Sequence, residues 1–177
     1  MWFNIFGKKD FLPSSDTIEW LADHMCNDQV LDKTICENIL FALCGPSKFL
    51  NATRVSVYTS HTPAGTSTKN VIHFSQMVMS GKFQMFDYGS AKANMAHYNQ
   101  TTAPLYDLTK VNVPVALYWA QNDWLADPSD VEYLRKNLPN IVDDLNVNIW
   151  DHLDFIWATN TKTALYDRML KLMQNYL

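Results

Sequence analysis

The sequence predicts an α/β protein in two parts, a mostly helical span over residues 1–107 and a strand–helix–strand–helix run over 108–177. Two observations carry this. In the first part apolar side chains recur at intervals of three and four, the spacing that gathers them on one helix face. After residue 108 two short apolar runs, 113–119 and 145–150, alternate with amphipathic segments. The first run is too uniformly apolar for a strand with one wet face and suits a parallel strand covered on both sides.

The elements follow in order. Asp16 with Glu19 three positions on resembles a capping box, and Ile18, Leu21, Ala22 and Met25 continue at helical spacing, predicting a helix over 16–26. A second helix over 30–44 turns Ile35, Ile39, Leu40 and Leu43 inward, and Gly45-Pro46 ends it. Residues 54–59 alternate like a short strand, 62–66 read as a turn, and Val71, Phe74 and Val78 mark a third helix closed by Gly81. Beyond the strand at 113–119, Asp127 is an N-cap and Pro128 fits the first helical position, so a helix should run to about residue 138. Residues 145–150 read as the next strand, ending at His152. A last helix begins near Thr161 with Leu165, Met169, Leu172 and Tyr176 on one face.

Composition narrows the function classes. An apolar share of 47% suits a globular core, and a net charge of −4 spread without a basic cluster offers nothing to a phosphate backbone, so nucleic acid is not an expected partner. The longest apolar stretches, such as 39–44, are far short of the roughly 20 residues that span a bilayer, so no transmembrane helix is expected. Residues 1–9 are apolar before they are basic, which is not the order of an export signal, and the chain as written is expected to be intracellular. Cys26, Cys36 and Cys44 are too few for a disulfide scaffold and leave one local bridge with a spare thiol. There is no CxxC motif or ligand-like spacing among His24, His61, His73 and His97, so no metal or other cofactor is expected. Asn51 and Asn99 begin N-x-T sequons, which matter only in an exported protein.

The chemistry gathers at two residues. Asp123 follows the run 113–119, and His152 lies 29 positions later, directly after the second strand. In an open α/β sheet functional groups collect beyond the carboxyl ends of the strands. A carboxylate that accepts from His Nδ1–H fixes the ring's tautomer and leaves Nε2 to take a proton from a serine hydroxyl. Asp123 and His152 are therefore the candidate acid and base of a hydrolase triad. The nucleophile of such a triad sits in a G-x-S-x-G turn, and no serine here has that glycine pattern. Asp127 is better used on its helix start, while Asp151 and Asp154 stand too close to His152 to do more than brace its loop. Trp119, Trp124, Trp150 and Trp157 either wall an acyl pocket or anchor strand ends in the core.

With these residues in view, the chain resembles the C-terminal part of an acid lipase of the gastric and lysosomal lipase family. The likeness is carried by His-Thr-Pro-Ala-Gly-Thr-Ser at 61–67, Lys-Phe-Gln-Met-Phe-Asp-Tyr-Gly at 82–89, His-Tyr-Asn-Gln at 97–100, Asn-Asp-Trp-Leu-Ala-Asp at 122–127 and His-Leu-Asp-Phe-Ile-Trp at 152–157. The resemblance implies that Asp123 is the triad acid and His152 the triad base. It implies a partial α/β-hydrolase fold, with a helical cap over 1–107 and the last two core strands with their helices over 108–177. It further implies a Cys26–Cys36 bridge, a free Cys44, glycans at Asn51 and Asn99, an exported or lysosomal setting, and neutral lipid esters or a lipid–water interface as partners. The family's serine elbow and oxyanion loop have no counterpart in these residues, so the chain is expected to be truncated and to have nil or trace activity alone. The alternative is a non-catalytic lipid- or protein-binding module, presented by the helices at 16–26 and 30–44.

Overall fold

A computed structural model describes residues 10–11, 44–59, 61–62 and 65–177. The helix expected over 16–26, most of the one over 30–44, and Cys26 and Cys36 lie outside the described residues. In chain order the elements are β1 (Asp10–Phe11), α1 (Val55–Thr59), β2 (Thr66–Ser67), α2 (Thr68–Ser80), α3 (Ala91–Tyr98), β3 (Val115–Trp119), α4 (Pro128–Asn137), β4 (Ile141–Asn146), α5 (Asp154–Trp157) and α6 (Asp167–Met173). They fall into two compact units. One contains residues 65–107 with β1, and the other joins 44–59 to 108–177.

In the first unit β1 and β2 pair antiparallel, and α2 starts at once from Ser67, whose side chain accepts from the Lys69 amide. Gly81 ends this helix as expected, at φ 63° with its N–H donating to Met77 O. Here a left-handed residue satisfies a terminal carbonyl that the helix cannot. The irregular stretch after Gly81 is held by side chains. Gln76 donates to Asp87 O and accepts from Asp87 N, and buried Asn94 accepts from Tyr88 N while donating to Asp87 Oδ1 and Thr101 O. These bonds replace the ladder that an irregular backbone lacks.

The second unit is built on β3 and β4, paired in parallel from Val115 opposite Ile141 to Trp119 opposite Asn146. Parallel pairing is what the apolar run predicts, although every β3 residue is half-buried rather than fully covered. The crossover α4 begins as expected. Asp127 accepts from the Ser129 amide and hydroxyl, and Pro128 takes the first turn, where no N–H is needed. The core is Ala120, Trp150, Ala158 and Leu165, with Phe49, Tyr118, Leu145, Phe155 and Met169 packed on it. The last helix opens with a π-helical turn, Lys162–Tyr166, before α6, and Leu165 alone of its expected apolar face is fully buried.

Two expected elements are corrected. Residues 54–59 are helical, not a strand, because Asn51 takes the Thr53 amide and hydroxyl on its side-chain oxygen and the Arg54 amide on its carbonyl, starting a turn. Val55 and Tyr58, three apart, then share a face, with Val55 buried and Tyr58 stacked on Trp157 at 4.8 Å. The second core strand is 141–146, not 145–150. Asp143 and Asp144 look like loop residues in sequence but are neutralised in the fold. Tyr118 and Arg168 donate to Asp143, and Trp119 Nε1 and Arg135 donate to Asp144.

The Arg168 guanidinium holds the Asp143 carboxyl down to about 2. In the unfolded chain an aspartate has a pKa near ~3.9, so the unfolded state takes up the proton first as pH falls. The contribution of Asp143 is thus complete above about pH 4 and is lost between there and about pH 2. Urea midpoints measured down this range should fall more steeply for the wild type than for Asp143→Asn. Parallel curves would show that the pair does not contribute.

Candidate active site

The site is assembled from three segments of the second unit. Beyond β3 the chain passes through fully buried Ala120 and turns, with Asp123 N donating to Ala120 O. Asp123 is only 3% exposed. Its Oδ1 accepts from Leu125 N at 2.9 Å and Ala126 N at 2.8 Å, a local turn that short aspartate side chains favour. This fixes the carboxylate and leaves Oδ2 aimed outward from the turn. Beyond β4, Val147 N donates to Trp119 O and Trp150 N to Val147 O, so the chain bends back and drives Trp150 into the core. Trp150 meets Phe155 edge-on at 5.3 Å.

Asp151 and Asp154 brace the loop that carries His152, as their sequence position suggests. Asp151 Oδ1 accepts from Leu153 N and Asp154 N, each at 2.9 Å, and Asp154 Oδ2 accepts from Asp151 N at 2.9 Å. Ser47 Oγ donates to Asp154 Oδ1 at 2.5 Å. This reciprocal pair opens α5 and presents the His152 ring toward Asp123.

The third segment is Cys44-Gly45, which in the sequence reads as a spare thiol followed by a helix terminator. Cys44 O accepts from His152 N at 3.2 Å and from Trp124 N at 3.5 Å, tying the two functional loops through one carbonyl. Gly45 has φ 103°, and a Cβ there would lie 2.0 Å from Asn122 O. Only glycine lets the backbones come this close. The Gly-Pro dipeptide was the only signal for it, and nothing in the sequence says what the glycine touches. Cys44 is free and buried, and burial foremost, then Asp151 and Asp123, pushes its thiol up from the ordinary range.

The result is a His152 Nδ1 to Asp123 Oδ2 contact of 3.1 Å, bringing together the two residues singled out by sequence. The acid is buried, whereas the His152 side chain is 42% exposed. His152 Nε2 makes no hydrogen bond among the described residues. A ring oriented through Nδ1 with Nε2 open can accept and return a proton. Asp127 caps α4, and its bonds to Ser129 hold its carboxyl below the usual range.

The remaining predicted residues are dispersed. Asn51 starts α1, and Asn99 is exposed at the end of α3 in the left-handed region, φ 55°. Trp119 bonds Asp144, Trp150 is spent on the core, Trp157 stacks on Tyr58, and Trp124 is exposed. Among the described residues no group of three His, Cys, Asp or Glu side chains could hold a metal ion, and no helix is long and apolar enough to cross a membrane.

A parallel strand pair with an acid and a histidine meeting beyond its carboxyl ends is an arrangement of the α/β-hydrolase class, and the relatives of the chain point the same way. It is 45% identical over 174 residues to rat lysosomal acid lipase/cholesteryl ester hydrolase, covering 98% of this chain and 44% of that protein. The human protein of that name is 44% identical over 98% of the chain and 43% of its own length. Gastric triacylglycerol lipase from Bos taurus is 44% identical over 96% of the chain and 43% of its own length. No protein-family model matches. The chain is similar to part of an acid lipase of the lysosomal and gastric kind, and it spans less than half the length of the curated relatives it matches.

Proposed function

We propose that these residues supply the acid and base of a carboxylic-ester hydrolase acting on neutral lipid esters, with a helical cap drawn from within residues 1–107. The observation that carries this reading is the 3.1 Å contact between buried Asp123 and half-exposed His152. The names of the relatives, cholesteryl ester hydrolase and triacylglycerol lipase, suggest the substrate class.

In this mechanism a serine on a G-x-S-x-G turn, a motif not found among these 177 residues, attacks the ester carbonyl. Its hydroxyl proton passes to His152 Nε2, while Asp123, bonded to Nδ1–H, stabilises the imidazolium that forms. His152 then returns the proton to the departing alcohol, leaving an acyl-enzyme. Water repeats the sequence in reverse order and releases the fatty acid. An exported or lysosomal setting belongs to the same reading, as do the Cys26–Cys36 bridge and glycans at Asn51 and Asn99.

The 177 residues by themselves should show no labelling by a serine-directed fluorophosphonate and at most trace turnover of a short-chain ester. Removing the serine from such a triad lowers kcat on the order of 10⁶-fold. In a form that carries the elbow serine, Asp123→Asn should lower kcat about 10⁴-fold by disturbing the tautomer. Strong labelling of the 177 residues, or full activity of Asp123→Asn, would overturn the assignment.

A further inference from the structure

Asp151 is used twice by its own loop and still has an oxygen to spare. Its side chain is fully buried, and Oδ1 accepts both amides that shape the His152 turn. Oδ2 is buried with no hydrogen-bond partner among the described residues. Asp154, equally buried, differs in that Ser47 Oγ and Asp151 N satisfy its two oxygens. An ionised carboxylate with one oxygen dry and unpaired is costly to bury, whereas the neutral acid is far less so. If one of the two acids carries a proton, the geometry places it on Asp151.

We infer that Asp151 is a positioning residue that holds the His152 loop as a neutral carboxylic acid, with its proton on Oδ2, and that its ionisation loosens this loop. The titratable groups facing it are Asp154 at the start of α5, Asp123 beyond β3 and the Cys44 thiol, and each adds or would add negative charge. His152, next in sequence, directs its ring to Asp123. Burial foremost, then the Asp154 charge, pushes the Asp151 carboxyl up to about 6. The folded loop therefore keeps a proton that the unfolded chain has released, so its stability falls as pH rises from about 4 through about 6 and then levels. The loop's bearing on ester hydrolysis rests on the function proposed above, but the proton on Asp151 does not.

Amide exchange of Leu153 and Asp154 in the unliganded chain, corrected for intrinsic rates, tests this without any hydrolysis. Opening should increase by up to about a hundredfold between pH 4 and pH 7 in the wild type. Asp151→Asn keeps an acceptor oxygen for both amides and cannot ionise, so it should abolish that step and retain the low opening at all pH values. Asp151→Ala should open the loop throughout. A wild type without the step, or an Asp151→Asn variant that keeps it, would overturn the inference. Carboxyl NMR of the unmodified chain gives a second reading that does not depend on a variant folding. An Asp151 resonance titrating near 6 supports the inference, and one titrating below about 4.5 ends it.

Discussion

Gly45→Ala is expected to destabilise the second unit by about 3 kcal/mol or more and to separate Asp123 from His152. Two costs add. The residue has φ 103°, where an L side chain is strained, and its Cβ would lie 2.0 Å from Asn122 O and 3.2 Å from Asp151 Cβ. The 2.0 Å neighbour is backbone, so relief requires the 122–124 turn to move. That turn carries Asp123, and the adjacent Cys44 carbonyl holds both His152 N and Trp124 N. Gly81→Ala is the control, since Gly81 also has positive φ, 63°, but a Cβ there meets nothing within 4 Å. It should cost only about 1 kcal/mol, the conformational part alone. Urea unfolding of both variants separates clash from strain, and equal losses would show that the Gly45 contact relaxes freely.

Trp150→Ala should cost about 3–5 kcal/mol, the range for emptying a large aromatic site in a core. Trp150 is fully buried and lies in one cluster with Ala120, Ala158 and Leu165, while Phe155 meets its ring edge-on. Since Trp150 immediately precedes Asp151 and His152, its loss should disturb the braced loop as well as the core. Trp150→Phe should recover much of the stability. It keeps an aromatic ring against Phe155 and removes the indole N–H, which is buried without a hydrogen-bond partner among the described residues. A Trp150→Ala variant with a wild-type urea midpoint would show that the site can collapse around the gap.

The candidate pair was legible because both its residues follow apolar strands, and a chain that leaves a parallel sheet exposes its functional groups there. Asp127 caps α4 as its place before a proline implies, since an aspartate at a helix start has a local use that sequence can express. The start of β4 was not legible. Its Asp143 and Asp144 are paired with Arg168, Arg135, Tyr118 and Trp119, partners that lie 9 to 25 positions away. Residues 54–59 misled in the other direction, because β-branched alternation was outweighed by the Asn51 turn and by stacking on Trp157.

By itself the sequence determined a parallel strand within 113–119, the capped helix after it, the closure of α2 at Gly81 and the two residues that make the 3.1 Å contact. These depend on local pattern: apolar runs, caps and a left-handed glycine act within a few residues of themselves. Only the tertiary structure decided that Gly45 wedges between the two functional loops and that Asp151 is fully buried with one oxygen unpaired. Both depend on how closely distant backbones approach and on what is shut off from water, and neither distance nor dielectric is written along a chain.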